Sequence, residues 1–172
     1  VEDAALGSVR SAFGLQGQKC SACSRVFIEE PLYEAVTKRM VELTEKLSIG
    51  DPTELQTYMG PVINKKSYTD YQRFMEDLSA AGKVLVGGKT LTEGALAKGY
   101  FCAPTIVADV PLSHPLWKQE MFVPIVMVSP VKDLQEGIAL ANDVQYGLTA
   151  GFYGSPSESE WFFDHIEAGV VY

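Results

Sequence analysis

The sequence predicts an α/β fold: one domain of three layers, a largely parallel sheet with helices on both faces. Three observations carry this expectation. Helix-period and strand-like segments alternate, in the broad order αβαββαβαβ. The central strand candidates are unbroken apolar runs, the pattern of strands buried on both faces. A length of 172 residues fits one domain with a continuous core.

The elements follow in order. Glu2-Asp3-Ala4-Ala5-Leu6 reads as the first turn of a helix, with acidic residues near its positive end. A second helix is expected from Pro31 to Leu47, because proline suits a first helical turn. Its apolar stripe runs through Leu32, Val36, Met40, Leu43 and Leu47 until Gly50-Asp51-Pro52 ends it. Lys65 to Ala81 carries another stripe (Tyr68, Tyr71, Met75, Leu78, Ala81) and is stopped by Gly82. Val84-Leu85-Val86, Thr105-Ile106-Val107 and Ile125-Val126-Met127-Val128 read as buried strands, the last bounded by Pro124 and Pro130. A helix from Asp133 to Asn142 and a strand from Thr149 to Tyr153 come next. The final helix is placed at Ser157 to Ile166, with Ser157 as cap and Glu160 at the capping-box spacing. Gly169-Val170-Val171-Tyr172 is β-prone and has no polar tail after it; with no initial Met, the chain reads as a piece of a longer one.

Composition removes several function classes. At 47% hydrophobic and 21% charged, the chain has the make-up of a soluble globular protein. No apolar run approaches the ~20 residues of a membrane span, and the start lacks the pattern of a secretion signal. A net charge of −8 argues against nucleic-acid binding, which draws on clustered Lys and Arg. Three irregularly spaced cysteines argue against a disulfide framework and for a reducing compartment, with the cytoplasm as the default.

One cysteine has unusual company. Cys20 follows a glycine-containing bend and is surrounded by Gln18, Lys19, Ser21 and Ser24, with Arg25 beyond. A core-filling thiol sits among aliphatic residues, whereas a nucleophile needs access and nearby cations or N–H groups. Lys19 and Arg25 either lower the thiol pKa or face water, and Lys19 is the better candidate of the two. Cys20 and Cys23 also form a C-x-x-C pair, which leaves dithiol chemistry open. A zinc site would need further paired ligands, and Cys102, His114 and His165 are scattered singly.

The run from Phe13 to Arg25 resembles the nucleophile segment of the aldehyde dehydrogenase superfamily, F-x-x-x-G-Q-x-C followed by S-R. Four more stretches match in the family's order. They are Met59-Gly60-Pro61-Val62-Ile63, Gly99-Tyr100-Phe101 with Pro104-Thr105-Ile106, Gln119-Glu120-Met121-Phe122-Val123-Pro124, and Asn142 with Tyr146-Gly147-Leu148-Thr149-Ala150. The resemblance therefore covers nearly the whole chain. The wording around Cys20, and from Tyr146 to Gly154, is most similar to the branch that oxidises glutamate 5-semialdehyde (1-pyrroline-5-carboxylate) to glutamate in proline catabolism.

The resemblance implies an aldehyde oxidoreductase using NAD, with NADP possible, and no metal. It assigns Cys20 as the attacking thiol, passing through a thiohemiacetal and a thioester. It assigns Glu120 to the nicotinamide ribose hydroxyls, Phe122 to packing beside the nicotinamide, and Ser21 to the substrate carboxylate. Against these stand plainer readings: Glu120 as a solvated loop charge, and Ser21 as a local backbone hydrogen bond. Related semialdehydes, including that of succinate, remain open, as do a non-catalytic domain and a thiol-redox domain. Val123 stands where the family has glycine, which puts the backbone beside Glu120 in question, since a β-branched residue resists positive φ. Nothing here resembles a Gly-rich dinucleotide-binding turn, and Gly87-Gly88 lacks the rest of that fingerprint. In the family, the cofactor domain, the oxyanion asparagine and the water-activating glutamate precede the nucleophile, so the NAD-binding domain is expected to be absent from residues 1–172. The isolated chain is then expected to be inactive, and the parent enzyme a homo-oligomer.

Overall fold

The computed structural model describes residues 1–172. Its core is a four-stranded sheet in the order β1 (Arg25–Glu29), β4 (Ile125–Val131), β3 (Thr105–Ala108), β2 (Lys83–Val86). The β1–β4 and β4–β3 pairs are parallel, and only β2 runs antiparallel, against β3. A separate parallel pair joins β5 (Thr149–Ala150) to β6 (Val170–Val171). The helices are α1 (Glu2–Phe13), α2 (Glu30–Glu45), α3 (Lys65–Ala81), α4 (Leu134–Asn142) and α5 (Pro156–His165).

Alternation along the central strands separates two cores. Val126 and Val128 of β4 and Ile106 and Ala108 of β3 face Ala5, Val9 and Phe13 of α1 and Val36 and Met40 of α2. Ile125, Met127 and Val107 face Tyr71, Phe74, Met75 and Leu78 of α3. Helix α4 lies on this second side, where Gly137 approaches Val131 and Phe27. Side chains of a strand alternate between faces, and both faces are buried here, with Thr105 and Ser129 the only polar residues in β3 and β4. That is why these strands read as continuous apolar runs, and the three-layer expectation holds.

The order differs from the expectation. Strand β1 was not anticipated as an element, and α2 and α3 follow one another without an intervening strand, giving αβααβββαβαβ. In the loop between them, Ile49 and Met59 form only a single bridge. Strand β1 escapes the pattern because Arg25 and Glu29 frame an apolar run of only three residues. Helix α3 has its expected bounds, capped by Asn64 accepting from Ser67 N at 2.9 Å. Its stop, Gly82, is extended (φ −147°), so left-handed freedom is not the reason for glycine there. A Cβ would lie 2.5 Å from Ala108 O, so close approach to the end of β3 is.

Helix α5 begins one residue before its expected start, and its cap lies two residues earlier. Ser155, not Ser157, is the cap, and Glu158, not Glu160, returns the bond, accepting from Ser155 N at 2.7 Å. Both pairs have the capping-box spacing; Pro156 decides between them, because proline sits at ease in the first helical turn. The expected strand at Thr149–Tyr153 shrinks to two residues, and β4 runs on through Pro130 to Val131. No helix of the chain is long and apolar enough to cross a membrane.

Candidate active site

Between α1 and β1 the chain must reverse tightly, and it does so with three consecutive residues at positive φ: Leu15 (52°), Gln16 (60°) and Gly17 (68°). The conformation costs about 1–2 kcal/mol at each of the two non-glycine positions, so the bend is held by its surroundings. Gln18 Oε1 accepts from Ile63 N at 3.1 Å, tying the bend to the Met59–Ile63 segment. Gln18 N donates to Leu15 O at 3.0 Å and Ala22 N to Lys19 O at 3.0 Å, closing a turn with Cys20 at its crest. Cys20 is exposed and is not in a disulfide.

A cleft of about 230 Å³ opens over this turn. Its floor is Gly17 and Lys19 to Arg25 (Ser21 excepted), one wall is Trp117 to Val123, and the other runs from Val144 to Thr149 (Gln145 excepted). Cys20, Glu120 and Phe122 therefore border the same space. Glu120 is exposed, makes no hydrogen bond or ion pair within the chain, and is the only carboxylate lining the cleft. Phe122 is 43% exposed.

The loop carrying these two residues is fixed by contacts that sequence reasoning did not supply. The residue at positive φ is Phe122 (56°), while Val123 is 4% exposed, inside the core beneath the cleft. Valine at that position is thus no obstacle: it serves as a core residue, and its neighbour takes the left-handed conformation. Gly17 meets this loop directly, since a Cβ there would lie 2.5 Å from Val123 O. The glycine is required twice over, by its φ and by this approach. Its place two residues before Cys20's neighbour Lys19 was the visible signal; its partner was not legible.

The two cations near Cys20 are placed differently. Arg25 donates from its guanidinium to Leu140 O at 3.2 Å and Ala141 O at 3.1 Å, closing the C-terminal end of α4. Burial pushes its pKa down. Lys19 lines the cleft with its Nζ drawn back over Gly14. Cys23 is held below the turn, its thiol donating to Arg25 O at 3.4 Å, and burial raises its pKa to about 11. A resolving thiol needs access and thiolate character, so this geometry disfavours the C-x-x-C redox alternative. Cys102 is buried and pushed up to about 12.

Ser21 does not border Cys20's cleft. It lines a larger cavity of about 540 Å³ on the other side of the nucleophile turn, between α1, β1, α4 and the β5–β6 unit. Asn142, at the end of α4, straps that unit to the helix, donating to His165 O and accepting from Glu167 N, both at 2.9 Å. His114 accepts from Leu116 N at the start of a short 3-10 turn, and no three His, Cys, Asp or Glu side chains converge to hold a metal.

Comparison with known proteins gives a consistent picture. The model of the aldehyde dehydrogenase family matches residues 1–172. The chain is 43% identical over 149 residues to 1-pyrroline-5-carboxylate dehydrogenase of Geobacillus kaustophilus, covering 87% of this chain and 28% of that protein. Against the enzyme of the same name from Bacillus thuringiensis it is 41% identical over 167 residues, 97% of this chain and 30% of that one. Among solved structures, a Thermus 1-pyrroline-5-carboxylate dehydrogenase with bound NAD superposes with a TM-score of 0.93 at 38% identity, over 99% of this chain and 32% of that one. Betaine aldehyde dehydrogenase of Staphylococcus aureus, in complex with NAD+, gives 0.94 at 26% identity, over 97% of this chain and 34% of that one. The chain spans about a third or less of the length of these relatives. With the family pattern running end to end and the fold shared throughout, the chain belongs to the aldehyde dehydrogenase family.

Proposed function

We propose that this chain is the cysteine-bearing part of the catalytic domain of an NAD-dependent aldehyde dehydrogenase acting on glutamate 5-semialdehyde in proline catabolism. The observation that carries the proposal is the shared cleft: an exposed thiol, an unengaged carboxylate and a half-exposed phenyl ring border one space. The names of the relatives favour this substrate over other semialdehydes.

The residues of the cleft fit a nicotinamide cofactor. Glu120 has both carboxylate oxygens free to accept from a ribose diol, and Phe122 offers an apolar face beside them. When bound, NAD supplies the hydride acceptor that no side chain can provide. Cys20 Sγ attacks the aldehyde carbon, giving a thiohemiacetal, and after oxidation carries the acyl group as a thioester. The developing oxyanion needs fixed donors, and the Cys20 backbone N–H, on the crest of its turn, is assigned one such role. Ser21, on the opposite side of the turn, is assigned the substrate's carboxylate. Hydrolysis of the thioester needs a base to activate water. Glu120, the only carboxylate in the cleft, is already committed to the cofactor.

On this reading, the base and the dinucleotide-binding domain belong to a longer polypeptide that works as a self-associating cytoplasmic enzyme, and these 172 residues alone do not turn over. Incubation of the chain with glutamate semialdehyde and NAD is expected to give no NADH, whereas the longer polypeptide gives NADH that is lost in Cys20→Ala. NADH from the isolated chain, or an active Cys20→Ala enzyme, overturns the proposal.

A further inference from the structure

The two walls of the Cys20 cleft are joined by one ion pair. Lys118, the last residue before the Gln119–Val123 loop, places Nζ 2.6 Å from Asp143 Oδ2. Asp143 caps the C-terminal end of α4 and leads into the opposite wall. An acidic residue at that end opposes the helix dipole, where a cation is the favourable choice. Its charge is tolerated because two cations flank it: Lys118 across the cleft, and Arg25, whose guanidinium holds the last carbonyls of α4 and feels the Asp143 charge. A charge relay thus runs from the nucleophile segment, through the end of α4, to the loop carrying Glu120 and Phe122.

We infer that Lys118 and Asp143 are positioning residues: a latch across the cleft that sets the height of the Glu120 loop over Cys20. Both side chains are more than half exposed, so the latch is screened by salt, and its contribution is of the modest size expected for an exposed pair. Met121 and Val123 anchor the loop in the core, while the Glu120 side chain makes no hydrogen bond or ion pair and Phe122 is half in solvent, so the latch acts on the exposed face of the loop. The consequence for the cofactor rests on the reading of Glu120 given above; the latch itself does not.

Amide hydrogen exchange of this chain tests the latch without any cofactor. At low salt, Lys118→Met is expected to speed exchange of the Trp117 amide, which donates to His114 O at the head of the loop, about two- to fivefold. About 0.5 M NaCl should do the same to the unaltered chain, while Lys118→Arg keeps the slow rate and Lys118→Met loses its response to salt. Because Asp143 also faces Arg25, its variant serves in a double-mutant cycle: Asp143→Asn added to Lys118→Met should accelerate this amide no further. Unchanged exchange in Lys118→Met, or fully additive effects in the double variant, overturns the latch. In the longer enzyme the same Lys118→Met change should raise KM for NAD more than it changes kcat. If exchange responds as expected and KM for NAD does not, the cofactor role of Glu120 fails and the latch stands.

Discussion

At the scale of single residues, burial grades the three cysteines: Cys20 is exposed, Cys23 half-buried with a raised pKa, and Cys102 buried. With its pKa near 11, Cys23 is about one part in a thousand thiolate at pH 8, and Cys102, near 12, holds still less. Iodoacetamide at pH 8 should therefore modify Cys20 alone in the folded chain, with Cys23 and Cys102 reacting only after denaturation; mass-spectrometric mapping reads the result. Labelling of Cys23 at a rate matching Cys20 would revive dithiol chemistry. Gly17 is the second residue on which the site turns. Gly17→Ala adds both an unfavourable left-handed φ and a Cβ 2.5 Å from Val123 O. It should lower unfolding stability by about 1–3 kcal/mol in a urea titration. Val123→Gly, by contrast, restores the family's residue yet removes a buried side chain from the core, and should also destabilise.

At the scale of elements, end chemistry decides where helices start and what holds them. Loss of the α5 cap by Ser155→Ala should cost about 0.5–2 kcal/mol. Ser157→Ala, two positions inside, should be close to neutral, and thermal unfolding of the two variants separates them. Arg25→Met leaves the last carbonyls of α4 without their charged donor and should cost about 1–3 kcal/mol. The apolar periodicity of α3 and the unbroken run of β4 were legible because burial on one or both faces writes itself directly into residue order. The start of α5 was not, because Ser155 and Ser157 both satisfy the local pattern and only Pro156 breaks the tie. Strand β1 was missed for a related reason: an edge strand framed by Arg25 and Glu29 pairs on one side only and needs no long apolar run. In the site, Cys20, Glu120 and Phe122 could be named from local motifs. The contacts that bring them together, Gly17 on Val123, Gln18 on Ile63, and Lys118 on Asp143, join positions far apart in sequence and leave no local trace.

At the scale of the whole molecule, the two thiols of raised pKa couple stability to alkaline pH. An unfolded thiol ionises near its ordinary value of 9.0, whereas Cys23 and Cys102 stay protonated until about 11 and about 12. Above pH 9 the unfolded state therefore binds fewer protons than the folded state, and stability falls as pH rises. The contribution is fully present below pH 9 and is lost on the way to the folded-state values. Urea unfolding between pH 8 and 11 should show this decline, shallower in Cys23→Ala; equal slopes in the two proteins would contradict it. Cys20 is the one exposed thiol of the chain, and the proposed chemistry depends on it. Its most direct test is to quench the longer enzyme with acid during turnover of glutamate semialdehyde and NAD, then map the trapped acyl group by mass spectrometry. The account predicts the acyl mass on the peptide containing Cys20. An acyl group on another residue, or full turnover by Cys20→Ser, would contradict it.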